Sequence, residues 1–277
     1  MIIRLGYDLI FENSAPTPML LLLSTHPSRA ASHLRPDRLG IEPDARRDDF
    51  VDPFGNLCTR VVAPAGRVRF WKDTLVEHSG EADPVHPDAV QHPVEELPAD
   101  TLPFLLASRY CEVDCLSDIA WGLFKDSPLG WGRVQAICDW VHQNVRFGYA
   151  FARPTKTAQD VYNERAGVCR DFTHLAIAFC RCMNIPARYA TGYLGDIGVP
   201  LDDAPMDFSA WFEAFLGGRW HTFDARHNIP RIGRILMAHG RDAVDAALTT
   251  SFGSTRLVQF KVWTDEVVGD RPMELCR

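Results

Sequence analysis

The chain has 277 residues, 46% hydrophobic and 23% charged, enough for one large domain or two modest ones with separate cores. A formal net charge of −7 offers no basic surface to nucleic acid or an anionic membrane, so the expected partner is a peptide, protein or small amide substrate. The first residues have no basic segment followed by a long apolar one, and the apolar run at 19–23 is too short to span a bilayer, which points to a cytoplasmic protein.

In chain order, residues 1–80 hold several strand-like runs, at 2–11, 19–24, 58–62 and, with apolar and polar side chains alternating, 66–77, with a turn signal at Asp52-Pro-Phe-Gly-Asn56. The pattern predicts an antiparallel sandwich. Residues 81–103 contain Pro84, Pro87, Pro93, Pro98 and Pro103 among acidic residues with no apolar period, which reads as a linker or a loop lying over the surface. A domain boundary is placed here, with a β-rich unit at 1–95 and a second unit at 96–277.

Helical spacing then appears at 108–124 and 130–145, the latter with Trp131, Val134, Ile137, Cys138, Val141 and Val145 on one face. A loop at 149–157 and a short helix at 158–165 lead to the central stretch, 165–183. From Phe172 onward, Leu175, Ala176, Phe179 and Met183 recur at helical spacing, so a buried helix begins near Cys169. At a helix start the unpaired N–H groups and the dipole favour a thiolate, which would lower the Cys169 pKa as a nucleophile requires; the alternative is a buried, inert cysteine. The eight cysteines include no Cys-x-x-Cys pair and read as reduced thiols, not as a disulfide framework or a zinc site.

A strand at 186–194, a Gly- and Pro-containing loop at 195–204 and a hairpin follow. The hairpin runs Asp207-Phe-Ser-Ala-Trp-Phe-Glu-Ala-Phe-Leu216, Gly217-Gly218, Arg219-Trp-His-Thr-Phe-Asp-Ala225. A two-residue turn at Gly217-Gly218 pairs Leu216 with Arg219 and places Ser209, Trp211, Asp224 and Arg226 on one face. The tail predicts a helix at 241–247, a strand at 257–264 and a frayed last dozen residues.

Gly167-Val-Cys-Arg-Asp171 at a helix start, Ile185-Pro-Ala-Arg-Tyr189 with Gly192-Tyr193, Ala210-Trp-Phe-Glu213 and Gly217-Gly-Arg-Trp-x-x-Phe-Asp224 together resemble the bacterial transglutaminase-like proteins, often described as candidate cysteine proteases. The resemblance covers roughly residues 105–265, and the β-rich start looks like the domain that commonly precedes that core. It implies an α+β, papain-like fold, helices on an antiparallel sheet, after an N-terminal β-sandwich-like domain. It also implies a Cys-His-Asp triad with Cys169 as nucleophile and Asp224 as the residue that orients the imidazole. The family histidine stands immediately before Ala-Trp, and here that position is Ser209, too short and too weak a base to replace it.

Other histidines are candidates. His221 points away from Asp224 by strand parity. His227 does too while the strand continues, but Asn228 and Pro230 follow, and a chain leaving the sheet there would bring His227 round as a substitute base. His174, about 140° round an ideal helix from Cys169, is either a structural group or a contact of the site. Arg226 is either a salt-bridge partner of Asp224 or an anchor for a substrate carboxylate, Trp211 is expected to pack on the Cys169 helix beside the substrate site, and Asp171 reads as a helix N-terminal acid. Thr249-Thr-Ser-Phe-Gly253 has the composition of a loop near a site and equally of an ordinary turn.

Two functions follow: an enzyme acting on an amide or acyl group through Cys169, by hydrolysis or acyl transfer, or a catalytically silent module that binds peptides or proteins in the same cleft. No phosphate loop, metal spacing or cofactor fingerprint occurs, and there is no acidic cluster for the calcium used by some animal relatives, so no cofactor is expected.

Overall fold

Alternation of buried and exposed side chains organises the first part of the chain. The computed structural model describes residues 1–202 and 204–268, so the expected fraying of the last dozen residues falls largely outside the described part. Strands β1 (Ile2–Asn13), β2 (Thr17–Leu21), β3 (Gly40–Glu42), β4 (Arg47–Val51), β5 (Leu57–Ala63) and β6 (Gly66–Glu77) come first. In β6, Val68, Phe70, Lys72, Thr74 and Val76 are buried while their neighbours face outward, as a strand with one covered face requires.

The middle of the chain is helical: α1 (Val113–Phe124), α2 (Trp131–Asn144), α3 (Ala158–Glu164) and α4 (Cys169–Cys182), with a short parallel pair, β7 (Arg146–Phe147) and β8 (Ala166–Gly167), just before α4. Helix α1 begins later than the spacing at 108 predicts, because Ser108 and Cys111 close a turn on each other's backbone. Every residue of α4 from Asp171 to Cys182 is buried, so this is a central helix with neighbours all round. On one side lies an antiparallel sheet in the order β11-β10-β9-β12, made of β9 (Ala187–Tyr193), β10 (Ser209–Leu216), β11 (Arg219–Phe223) and β12 (Ile235–Gly240); the other helices pack around the rest. Gly217 and Gly218, at φ 56° and 80°, form the predicted two-residue turn, and Leu216 pairs with Arg219.

Residues 241–247 do not form the expected helix. Their backbone N–H groups are taken by side chains: Asp245 accepts from Arg241 N, Asp242 from Val244 N, and the His174 ring from Ala243 N. Side chains that capture the backbone locally compete with the helical ladder. The chain ends in β13 (Thr249–Ser251) and β14 (Thr255–Glu266), which return to the start of the chain. They complete two facing sheets, β14-β1-β6-β3 and β13-β2-β5-β4, around a core that includes Leu5, Leu9, Met19, Val61 and Phe70. The α+β architecture, a β-sandwich and a helix-on-sheet core, is as the sequence implies.

The proline-rich stretch is a strap bound to the core: Val90 O accepts Gly217 N–H and Ala89 O accepts Trp131 N–H. Asn56, in the turn after β4, exchanges two hydrogen bonds with the backbone of His239 on β12 and so ties the sandwich to the central sheet. Next to it, Glu213 lies between Arg188 at 2.7 Å and His239 at 3.1 Å. Burial pushes the Glu213 carboxyl up, but His239 and Arg188 outweigh it and hold the pKa at about 2. A depressed carboxylate contributes stability that is present above its unfolded pKa, near 4.5, and is lost as the pH falls through about 2. Glu213→Gln should therefore flatten the acid limb of stability between those values, by on the order of 3 kcal/mol in a urea titration repeated across pH.

Candidate active site

Cys169 is the first residue of α4, with Val168 in extended conformation before it and Asp171 accepting the Val168 N–H at 3.0 Å. Asp171 is fully buried and paired with Arg170, so it caps the helix and does not line the cleft. The Cys169 sulfur accepts the backbone N–H groups of Ala210 and Arg170. Yet burial, reinforced by the Asp207 carboxylate, pushes the thiol up to about 11 despite Arg226. The expectation of a dipole-lowered pKa thus fails: loss of solvent around a nascent thiolate outweighs one helix terminus. Burial likewise leaves Asp207 with a raised pKa, against the Phe208 N–H and Arg226.

The second half of the site is built where β11 ends. Strand pairing stops at Phe223, and Asp224 then folds the chain over itself. Its Oδ1 accepts the N–H groups of Arg226 and His227, at 2.9 and 3.0 Å, and its carbonyl accepts Asn228 N–H, with Asn228 in the left-handed region at φ 54°. An Asx turn followed by a residue that tolerates positive φ reverses the chain within one turn. The His227 ring is thereby brought onto Asp224, Nδ1 to Oδ2 at 2.8 Å.

Burial would raise the Asp224 carboxyl, but the Arg234 guanidinium, 2.8 Å away, and His227 hold it well below the usual carboxylate range. An ionised Asp224 can only accept, so His227 Nδ1 carries a proton, and in the neutral ring Nε2 is then the accepting nitrogen. Arg234 reaches Asp83 of the strap with its Nε, at 2.7 Å.

Two clefts meet at Cys169. A larger one, about 520 Å³, is walled by Cys169, Ser209 and Asp207 on one side and by side chains of β1 and β14 on the other. A smaller one, about 100 Å³, contains Cys169, Ser209 and Asp207 again, together with Arg226 and His227. Tyr149 lies on the lip of both. Thr249 opens β13 and borders the larger cleft; the stretch is strand to Ser251 and bends at Phe252 and Gly253.

The other candidates separate. Ser209, 6% exposed, lies in both clefts with its carbonyl bonded to Thr191. Arg226 does not pair with Asp224; its guanidinium stacks on the Phe147 ring at 3.8 Å, and Arg234 takes the salt bridge. His174 is fully buried, stacked on Tyr110 and bonded to Ala243 N–H, and lines neither cleft; burial holds its pKa well below the ordinary value. Trp211 is buried but turned from α4: its neighbours Ala210 and Phe212 join the core around that helix, while Trp211 lies under Arg234 on the opposite face of the sheet, at 5.1 Å. Strand alternation requires that separation.

Asp207, Arg234 and the Ala210 N–H were not singled out from sequence. Asp207 had a signal, an acid two residues before the family histidine position. Arg234 had none, since its role depends on strap and sheet meeting. Among the described residues no three His, Cys, Asp or Glu side chains converge to hold a metal ion, and no helix is long and apolar enough to cross a bilayer.

Residues 122–225 match the model of the transglutaminase-like superfamily. The crystal structure of a candidate cysteine protease from Cytophaga hutchinsonii is 31% identical and superposes with a TM-score of 0.83, over 98% of this chain and 92% of that one. An uncharacterized protein of Mycobacterium leprae is 35% identical over 121 residues, 41% of this chain and 42% of that protein, so the match spans less than half of the curated relative's length. With a helix-start cysteine, an aspartate at the end of the hairpin and likeness along nearly the whole of a solved relative, the chain belongs to the transglutaminase-like superfamily.

Proposed function

We propose that the protein is a cysteine-dependent amide hydrolase or acyltransferase, acting on a peptide, a protein or a small amide, in which His227 held by Asp224 replaces the histidine missing at 209. The observation that carries this reading is the 2.8 Å His227–Asp224 bond beside the small cleft that also contains Cys169. A base is needed because the thiol, raised to about 11, is protonated at neutral pH.

In the reaction the Cys169 sulfur attacks the carbonyl carbon while His227 Nε2 takes the thiol proton. A C–S bond forms and the carbonyl electron pair moves to oxygen, at the N-terminal end of α4, whose dipole favours the developing negative charge. Collapse of the tetrahedral species breaks the C–N bond, and His227 passes its proton to the departing amine. Water then attacks the thioester, giving up one proton to His227. The C–S bond breaks, the acid leaves and the thiolate recovers the proton; an amine in place of water gives transfer.

The test is the pH dependence of Cys169 alkylation by iodoacetamide, with Cys169→Ala setting the background of the other cysteines. With His227 as proton acceptor, Cys169 is alkylated at neutral pH in the unaltered chain and loses most of that reactivity in His227→Ala. An inflection near 11 in both chains leaves Cys169 without a base. The cleft is then a binding site, the reading that Ser209 favours.

A further inference from the structure

Proton delivery gives the two clefts different roles. His227, which hands its proton to the departing amine, borders the smaller cleft and not the larger one. The amine therefore leaves through the smaller cleft and the acyl part of the substrate lies in the larger. This step rests on the proposed function; the nature of the larger cleft does not.

Its far wall is apolar. Leu9 and Phe11 of β1 and Leu257 and Phe260 of β14 face Ala246 and Leu248 across it. Leu257 and Phe260 are 47% and 41% exposed, large hydrophobic side chains left open to water inside a concavity. The volume, about 520 Å³, is in the range of small-molecule sites, which are mostly apolar with a few placed polar groups.

The cations on its rim are already held. Arg153 bridges to Asp160 and Glu164, and Arg170 to Asp171 and the Arg153 carbonyl. At the junction Asp207 repels a second carboxylate. We propose that the larger cleft is an acyl-side subsite for a bulky apolar side chain, phenylalanine- or leucine-like, on the residue whose carbonyl Cys169 attacks, with both ends of the chain supplying its specificity wall.

The experiment measures, by isothermal titration, binding of N-acetyl-phenylalaninamide, N-acetylglycinamide and N-acetylglutamic acid amide to the full chain and to Leu257→Glu and Phe260→Ser variants. Ammonia release is recorded separately. The phenylalanine ligand should bind about tenfold or more tightly than the glycine ligand, as burial of an aromatic side chain allows, and the glutamate ligand should bind no better than glycine. Both variants should lose that preference while keeping the far-UV spectrum of the unaltered chain. Equal binding of all three ligands, a preference for glutamate, or a phenylalanine preference unchanged in both variants would overturn the proposal. Preference without ammonia release would sustain the subsite and count against the catalytic reading alone.

Discussion

Replacing His227 by alanine should lower kcat/KM for amide cleavage by about 10²–10⁴-fold, the usual contribution of a general base, while leaving the urea midpoint nearly unchanged. Retention of the fold is expected because the ring is partly exposed and Asp224 keeps Arg234 and the N–H of Arg226 as partners. The loss should be greatest below about pH 11, where the thiol cannot ionise unaided. Ser209→His in the unaltered chain should add little activity. Both Asp224 oxygens are engaged, Oδ1 by two backbone N–H groups and Oδ2 by His227 and Arg234, so a second imidazole has no open place on the carboxylate. Combined with His227→Ala, the same substitution should recover part of the rate. Wild-type kinetics in His227→Ala would remove the dyad from the mechanism.

The second large effect is on stability. Arg234→Ala should destabilise the fold by about 3–5 kcal/mol, because it leaves Asp224 buried without the Arg234 guanidinium and takes from Asp83 of the strap its ion-pair partner. The sign of the pH effect follows from the depressed pKa of Asp224: its contribution is present above the ordinary carboxylate range and is lost as the pH falls below it. In the variant Asp224 protonates at a higher pH, so the acid limb of the rate profile should move upward. Arg234→Lys should recover part of the stability, since it keeps the charge but reaches only one of the two carboxylates. A urea titration and a pH–rate profile on each variant measure both quantities; an unchanged midpoint in Arg234→Ala would show that the Asp83–Arg234–Asp224 chain is not structurally important.

Local rules were enough where the answer lay within a few residues. The Gly217-Gly218 turn set the register of β10 and β11, alternation marked β6, and the apolar spacing after Cys169 marked α4. The motifs led to Cys169 and Asp224 because each sits at an element end that its own neighbours define. Parity failed for Arg226 and His227, where β11 stops at Phe223 and the Asp224 turn rotates both side chains out of the strand pattern. Periodicity failed at 241–247, where carboxylates and the His174 ring hold the backbone N–H groups that a helix would use.

By itself, then, the sequence determined most of the elements, the α+β class and the positions of Cys169 and Asp224 at two element ends, since period, turn residues and capping act over short separations. The tertiary structure alone decided the rest. It returned β13 and β14 to the first strands, joined Arg234 to Asp83 and Asp224, and closed a cleft between β14 and the start of α4. It also set the protonation of Cys169, raised by burial against the helix terminus that favours the thiolate. Desolvation and ion pairing depend on groups far apart in the chain, and no local pattern encodes which of them will meet.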